Sequence, residues 1–313
     1  MKYAVDKVEN GIVLLENILS GEKKEVEKKL FSFPVKETDI VFFENGIYKK
    51  DDVEKEKRVI HRDNIIKIMK KIYNYLFPVF LSLFALAACD DIGKNGTKYE
   101  TGAIDRKIVK LCDKEKPNFL FIGLASSFAD SYYKQIKDIY KKLGCKTGKI
   151  SNKTLTHIEV VEEKIKNADI IYIGGGDTIK LVNILKENGI DKMLKEKLNT
   201  PSVLAGISAG AIAYLKSGLS DTEIINNISN NYVKVDGLGF IDYMFVPHFS
   251  SDYKKKEDLE KVLKNNKDNI ALCTDNCAAI EIIDGRVNVV KSNEKAKVYK
   301  GIYKDKLYLE EIN

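Results

Sequence analysis

From residue 78 onward the chain alternates short, continuous apolar runs with stretches of helical texture, and this alternation restricts the fold more than any other feature. The apolar runs are Val79–Leu86, Phe119–Leu124, Ile170–Ile173, Ser202–Ala205 and Met244–Val246, with helix candidates near 105–113, 130–143, 156–167 and 177–198. A strand that is apolar on both faces must be covered on both faces, and intervening amphipathic helices supply the cover. The pattern therefore predicts an α/β fold, a doubly wound, mostly parallel sheet with flanking helices. Residues 277–302 read instead as antiparallel strands, with Asp284-Gly285 as a hairpin turn.

Residues 1–50 have a different texture. Asn10-Gly11 and Asn45-Gly46 each sit between apolar runs, and Asn-Gly suits a type I′ hairpin turn because both central positions need positive φ. A helix is expected over 53–75, where Val59, Ile60, Ile65, Ile66, Ile68 and Met69 are spread among charges. This N-terminal piece resembles a small bacterial domain family of unknown function, which implies a fold more than an activity. A length of 313 residues suits two domains, a small β-rich domain at 1–75 and an α/β domain at 76–313.

The net charge of +6 comes from 52 basic and 46 acidic residues, with Lys and Glu interleaved along the chain. A nucleic-acid binder clusters its basic residues, so no nucleic-acid partner is expected. Five scattered cysteines make a poor disulfide framework and point to a reducing, cytoplasmic setting. Cys273 and Cys277 lack the second pair that a zinc site needs, and the chain has three histidines; no metal or cofactor is expected. The run Phe77–Cys89 follows basic residues and ends small-small-Cys, like a lipoprotein signal. It is too short to span a bilayer and lies inside the chain. It reads as a buried first strand, with a membrane-directed segment as the alternative.

One motif carries chemistry. Gly206-Ile207-Ser208-Ala209-Gly210 follows an apolar strand and precedes an Ala-rich helix, the setting of a nucleophile elbow. Such a turn forces the Ser into a strained backbone conformation and lifts its Oγ above the sheet, where the helix start faces developing negative charge. A second glycine cluster, Gly174-Gly175-Gly176-Asp177-Thr178, also lies between a strand and a helix. Its N–H groups suit an oxyanion hole, with Gly175 and Gly176 on one side and Ala209 on the other. It lacks the spacing of a dinucleotide or phosphate loop. Of the three histidines, His248 follows the apolar run 244–247, which places it at a strand end on the same sheet edge as Ser208; His61 and His157 read as surface residues. The carboxylate that would orient His248 is open among Asp221, Asp252, Glu257 and Asp275. Lys254, Lys255 and Lys256 read as a solvated helix start, with attraction of a substrate carboxylate as the alternative.

The segments GISAGA, IYIGGGDT and VPHF, with FLFIGLASS and DNCAAIE, resemble the dipeptidase E and cyanophycinase family of serine peptidases over about residues 78–302. That resemblance implies a class I glutamine amidotransferase-like fold. It also implies a Ser–His–acid site in which Ser208 and His248 carry over directly and Ser220-Asp221 matches one family position for the acid, so Asp221 is the first choice. The implied partner is a small peptide carrying an aspartyl group, with a homodimer left open. The expected function is a serine peptidase. An amidohydrolase or acyl transferase using the same residues, and a catalytically silent binding module, are the alternatives.

Overall fold

The computed structural model describes residues 2–17, 20, 22–37, 39–52, 82–86 (as backbone), 101–266 and 270–313. The helix expected over 53–75, and the ends of the 77–89 run, lie outside the described residues. Contacts divide the chain into two compact units, Met1–Pro78 and Val79–Asn313.

In the first unit, β1 (Lys2–Glu9), β2 (Ile12–Asn17), β3 (Lys23–Glu27), β4 (Ile40–Glu44) and β5 (Ile47–Lys50) form an antiparallel sheet of order β3-β2-β1-β4-β5. Both Asn-Gly pairs are hairpin turns with positive φ at each position: 48° and 82° at Asn10-Gly11, 51° and 83° at Asn45-Gly46. One face gathers Val5, Val13, Leu15, Val41 and Tyr48 into a core.

The second unit holds two sheets. Its strands and helices are, in chain order, β6 (Ser82–Leu86), α1 (Gly102–Leu111), β7 (Asn118–Ile122), α2 (Ala129–Lys142), β8 (Lys146–Ile150), α3 (Ile158–Asn167), β9 (Ile170–Ile173), α4 (Thr178–Glu187), α5 (Ile190–Lys197) and β10 (Val203–Ile207). There follow α6 (Ala209–Tyr214), β11 (Leu215–Ser220), α7 (Thr222–Ile225), β12 (Val233–Asp236), β13 (Ile241–Pro247), α8 (Lys254–Asn265), β14 (Ala271–Thr274), β15 (Ala278–Ile283), β16 (Arg286–Lys291), β17 (Val298–Tyr303) and β18 (Leu307–Ile312).

The first sheet has order β16-β15-β6-β10-β9-β7-β8, with β6, β10, β9, β7 and β8 parallel. Strand alternation sends its residues into two cores. Ile171 and Ile173 pack with Leu120 and Ile122 under α3, α4 and α5, while Ile170 and Tyr172 pack with Phe119 and Phe121 under α1 and α2. Burial on both faces explains why these strands are continuously apolar. The expected helix at 177–198 is two helices, because Gly189 adopts φ 68° between them.

The second sheet has order β12-β11-β13-β14-β17-β18, with β11, β13 and β14 parallel. This corrects one expectation: the strand that leads to His248 does not share a sheet with the strand that leads to Ser208. The six-residue α6 turns the chain directly into β11, which starts the second sheet. The chain returns to the first sheet at Asp275-Asn276-Cys277, between β14 and β15, with Cys277 at φ 64°. The expected antiparallel strands at 277–302 are present, but β17 pairs into the second sheet. Cys112, Cys145 and Cys273 are free, whereas Cys277 is disulfide-bonded, which departs from the expected reduced set. No helix among the described residues is long and apolar enough to cross a membrane.

Candidate active site

Ser208 ends the strand and opens the helix, and its backbone sits at φ 52°, ψ −116°. A non-glycine residue there is strained, and the surrounding structure must hold it. The two glycines of the pentapeptide show how. A Cβ on Gly206 would lie 2.4 Å from the Gly210 carbonyl oxygen, and one on Gly210 would lie 2.1 Å from that of Ile173. Only glycine at both positions lets α6 turn back this tightly against β10 and β9.

Because β9 and β10 are adjacent parallel strands, the glycine cluster after β9 lies beside Ser208. A Cβ on Gly175 would sit 3.4 Å from both Ser208 Cβ and the Ile207 carbonyl oxygen. The positive φ of this loop, 134°, belongs to Gly176, where a Cβ would meet the Ala125 carbonyl oxygen at 2.6 Å. Among the described residues the N–H groups of Gly175, Gly176 and Ala209 meet no backbone acceptor.

A polar network ties this loop to the turn after β11. Asp177 caps α4 by accepting from the Lys180 N–H at 3.1 Å, and its carboxylate also accepts from the Thr222 hydroxyl and from Asn226 Nδ2 at 2.7 Å. Burial alone would raise the Asp177 carboxyl, but these hydrogen bonds outweigh it and hold it below the usual carboxylate range. Beside it the buried hydroxyls of Thr178 and Ser220 are 2.7 Å apart.

The second sheet delivers His248. It follows β13 at φ 108°, ψ 45°, another strained position, and its N–H donates to the Thr274 carbonyl at 3.0 Å. Its side chain meets Asn276: Nδ1 and Asn276 Oδ1 are 2.6 Å apart. With Oδ1 accepting, Nδ1 carries the hydrogen and the lone pair lies on Nε2, the tautomer a general base needs. The place beside Nδ1 that was expected to hold a carboxylate is thus taken by an amide from the corner between the two sheets.

The carboxylates considered have other neighbours. Asp275 spends both oxygens on backbone, accepting from Ser250 N–H at 3.0 Å and Lys297 N–H at 3.1 Å. Asp252 accepts from the Lys254 N–H at 3.0 Å and from the Tyr232 hydroxyl at 2.9 Å, which lower its pKa. Glu257 is exposed on α8. Asp221 does reach the site: it lines one small cavity with Ser208, Tyr232, Pro247, His248 and Lys255. Lys255 corrects the solvated reading of its triplet, being 6% exposed. Its ammonium donates to the carbonyls of Pro247 and His248, each at 3.0 Å. Ser208 and His248 share this cavity without a mutual hydrogen bond among the described residues, a separation common before substrate binds.

Comparison with known proteins bears on the family and the fold. The model of peptidase family S51 matches residues 92–290. The uncharacterized peptidase YgaJ of Bacillus subtilis (strain 168) is 27% identical over 199 residues, spanning 63% of this chain and 84% of that protein. Peptidase E of Nostoc sp. (strain PCC 7120) is 25% identical over 140 residues, spanning 44% of this chain and 53% of that protein. The crystal structure of a peptidase from an acI-B1 Actinobacterium matches with a TM-score of 0.56 at 20% identity, covering 76% of this chain and 97% of that one. This last likeness is one of fold. The family match spans well over half of the sequence, and the chain belongs to peptidase family S51, making it a peptidase and so a hydrolase.

Proposed function

We propose that the protein is a serine peptidase of the peptidase E type that cleaves short peptides through an acyl-enzyme on Ser208. The observation that carries this reading is the strained Ser208 elbow opening on the same cavity as His248. His248 Nε2 takes the Ser208 Oγ proton as Oγ attacks the peptide carbonyl carbon. The carbonyl oxygen becomes an oxyanion and accepts from the N–H groups of Gly175 and Ala209, with Gly176 shaping the loop. The imidazolium then protonates the leaving amine as the C–N bond breaks. A water, deprotonated by His248, attacks the acyl carbon; the C–Oγ bond breaks and the imidazolium returns its proton to Ser208 Oγ. Asn276 holds the imidazole tautomer. Asp221 adds negative charge to the cavity wall rather than taking Nδ1. The enclosed space between Ser208 and His248 is about 10 Å³, room for about one water rather than for a substrate side chain. Peptides beginning with Asp, implied by the resemblance to dipeptidase E, are the first substrates to assay.

The test is Ser208→Ala. It removes one hydroxyl, leaves the fold intact and should lower turnover by several orders of magnitude. Labelling by a fluorophosphonate should be lost in the same variant. Turnover equal to that of the wild type would end the proposal.

A further inference from the structure

His248 is held in a conformation that a non-glycine residue rarely adopts, and something must fix it there. Its carbonyl accepts from three donors: the Ser251 N–H at 3.1 Å, the Ser251 hydroxyl at 2.6 Å and the Lys255 ammonium at 3.0 Å. The first two are local and neutral. Lys255 comes from α8, is buried, and also grips the preceding carbonyl, that of Pro247. Its neighbours Lys254 and Lys256 in the same triplet are more exposed. Burying an ammonium is unfavourable unless acceptors and counter-charges compensate. Here two carbonyls and two carboxylates do so.

We propose that Lys255 is a positioning residue for the proposed base: its buried ammonium clamps the backbone at Pro247 and His248 and so aims the imidazole between Asn276 and Ser208. The inference rests on the reading of His248 as the base. The clamp acts on the main chain, so it needs no contact between Lys255 and substrate.

The charge of the clamp depends on pH. The groups facing the ammonium are Asp221 after β11, Tyr232 before β12, His248 after β13 and Asp252 before α8; Nζ lies 5.0 Å from the Tyr232 ring centre. Burial pulls the Lys255 pKa down to about 8, although Asp221 and Asp252 pull it up. Below that pH the clamp is an ammonium; above it, a neutral amine that donates more weakly. The Tyr232 hydroxyl is pushed well above its ordinary range, chiefly by burial and then by its bond to Asp252, so it stays protonated across the same interval.

The experiment is imidazole ¹⁵N NMR of the full chain from pH 6 to pH 10. The His248 signal is identified by its loss in His248→Gln. Turnover and melting are measured on the same samples. In the wild type the His248 signal should show an inflection near pH 8. Lys255→Met should remove that inflection and lower kcat about 10- to 100-fold, the order expected for a small misplacement of a catalytic group. KM should change by less than about 3-fold, since the clamp holds main chain rather than substrate. Lys255→Arg should recover part of kcat without restoring the inflection. A wild type with no inflection near pH 8 would overturn the proposal. So would an inflection that persists in Lys255→Met, or folded Lys255→Met with wild-type kcat. If Lys255→Met fails to fold, the wild-type titration decides alone. If the wild type hydrolyses no peptide, the NMR arm still decides the clamp, and the failure falls on the peptidase reading.

Discussion

An amide stands where a serine hydrolase usually keeps a carboxylate, and one atom separates the two. Asn276 and Asp have nearly the same shape, so Asn276→Asp tests what the missing charge does. An anion beside Nδ1 favours the imidazolium over the neutral ring. The proposed base would then hold its proton to higher pH, and the acid limb of the kcat/KM profile should move upward, by about one unit. Asn276→Ala removes the acceptor altogether and releases the ring from one tautomer. Its kcat should fall by about 100-fold or more, with KM little changed. Both variants are surface substitutions, because Asn276 is exposed, and should melt near the wild type. An unchanged acid limb in Asn276→Asp, measured over pH 5 to pH 8 as in any His titration, would show that this contact does not tune the base.

At the scale of elements, the Gly174–Gly176 loop separates two effects that look alike in an activity assay. Gly176 has φ 134° and a carbonyl 2.6 Å from the place of a Cβ. Gly176→Ala should therefore lower the melting temperature, by an amount corresponding to about 1–3 kcal/mol. Gly175 has room for a methyl, with contacts at 3.4 Å, but a larger side chain there presses on Ser208 and the approach of the acyl oxygen. Gly175→Val should cut kcat by about 100- to 1000-fold, the loss expected of an oxyanion donor. Normal kcat per folded molecule in Gly175→Val would move the oxyanion role elsewhere. The setting of these glycines and of Ser208 is legible in the sequence because each depends on its own strand–turn–helix unit. That of Asn276 is not. Its meeting with His248 depends on a corner between two sheets, 28 residues away in the chain, and an amide carries no sign of such a role. Nor did the sequence betray β11, whose residues LKSGLS lack a strand-like apolar run. It forms because β12 and β13 pair with it on either side. The buried role of Lys255 was hidden among three lysines, since only the packing of α8 tells which of them faces inward.

For the whole molecule, the question is where the catalytic unit begins. Ser208, His248, Asn276, Lys255 and the glycine loop all lie in Val79–Asn313. The first strand of that unit, β6, is not at an edge: it pairs with β10 on one side and with β15 on the other. A chain that lacks β6 leaves two open strand edges in the middle of the sheet, each with unpaired backbone groups, and open edges of that kind aggregate. A chain of residues 76–313 keeps β6 and should fold, melt cooperatively, and react with a fluorophosphonate at Ser208 as the full chain does. A chain of residues 101–313 retains every site residue but lacks β6, and should be insoluble or melt without cooperativity. The N-terminal sheet gathers its own core from Val5, Val13, Leu15 and Val41. Thermal melts and labelling of the two truncated chains beside the full one decide the matter. Failure of 76–313 to melt cooperatively would show that the first 75 residues are needed for the catalytic unit to fold. Good folding of 101–313 would show that β6 adds little to the sheet it completes.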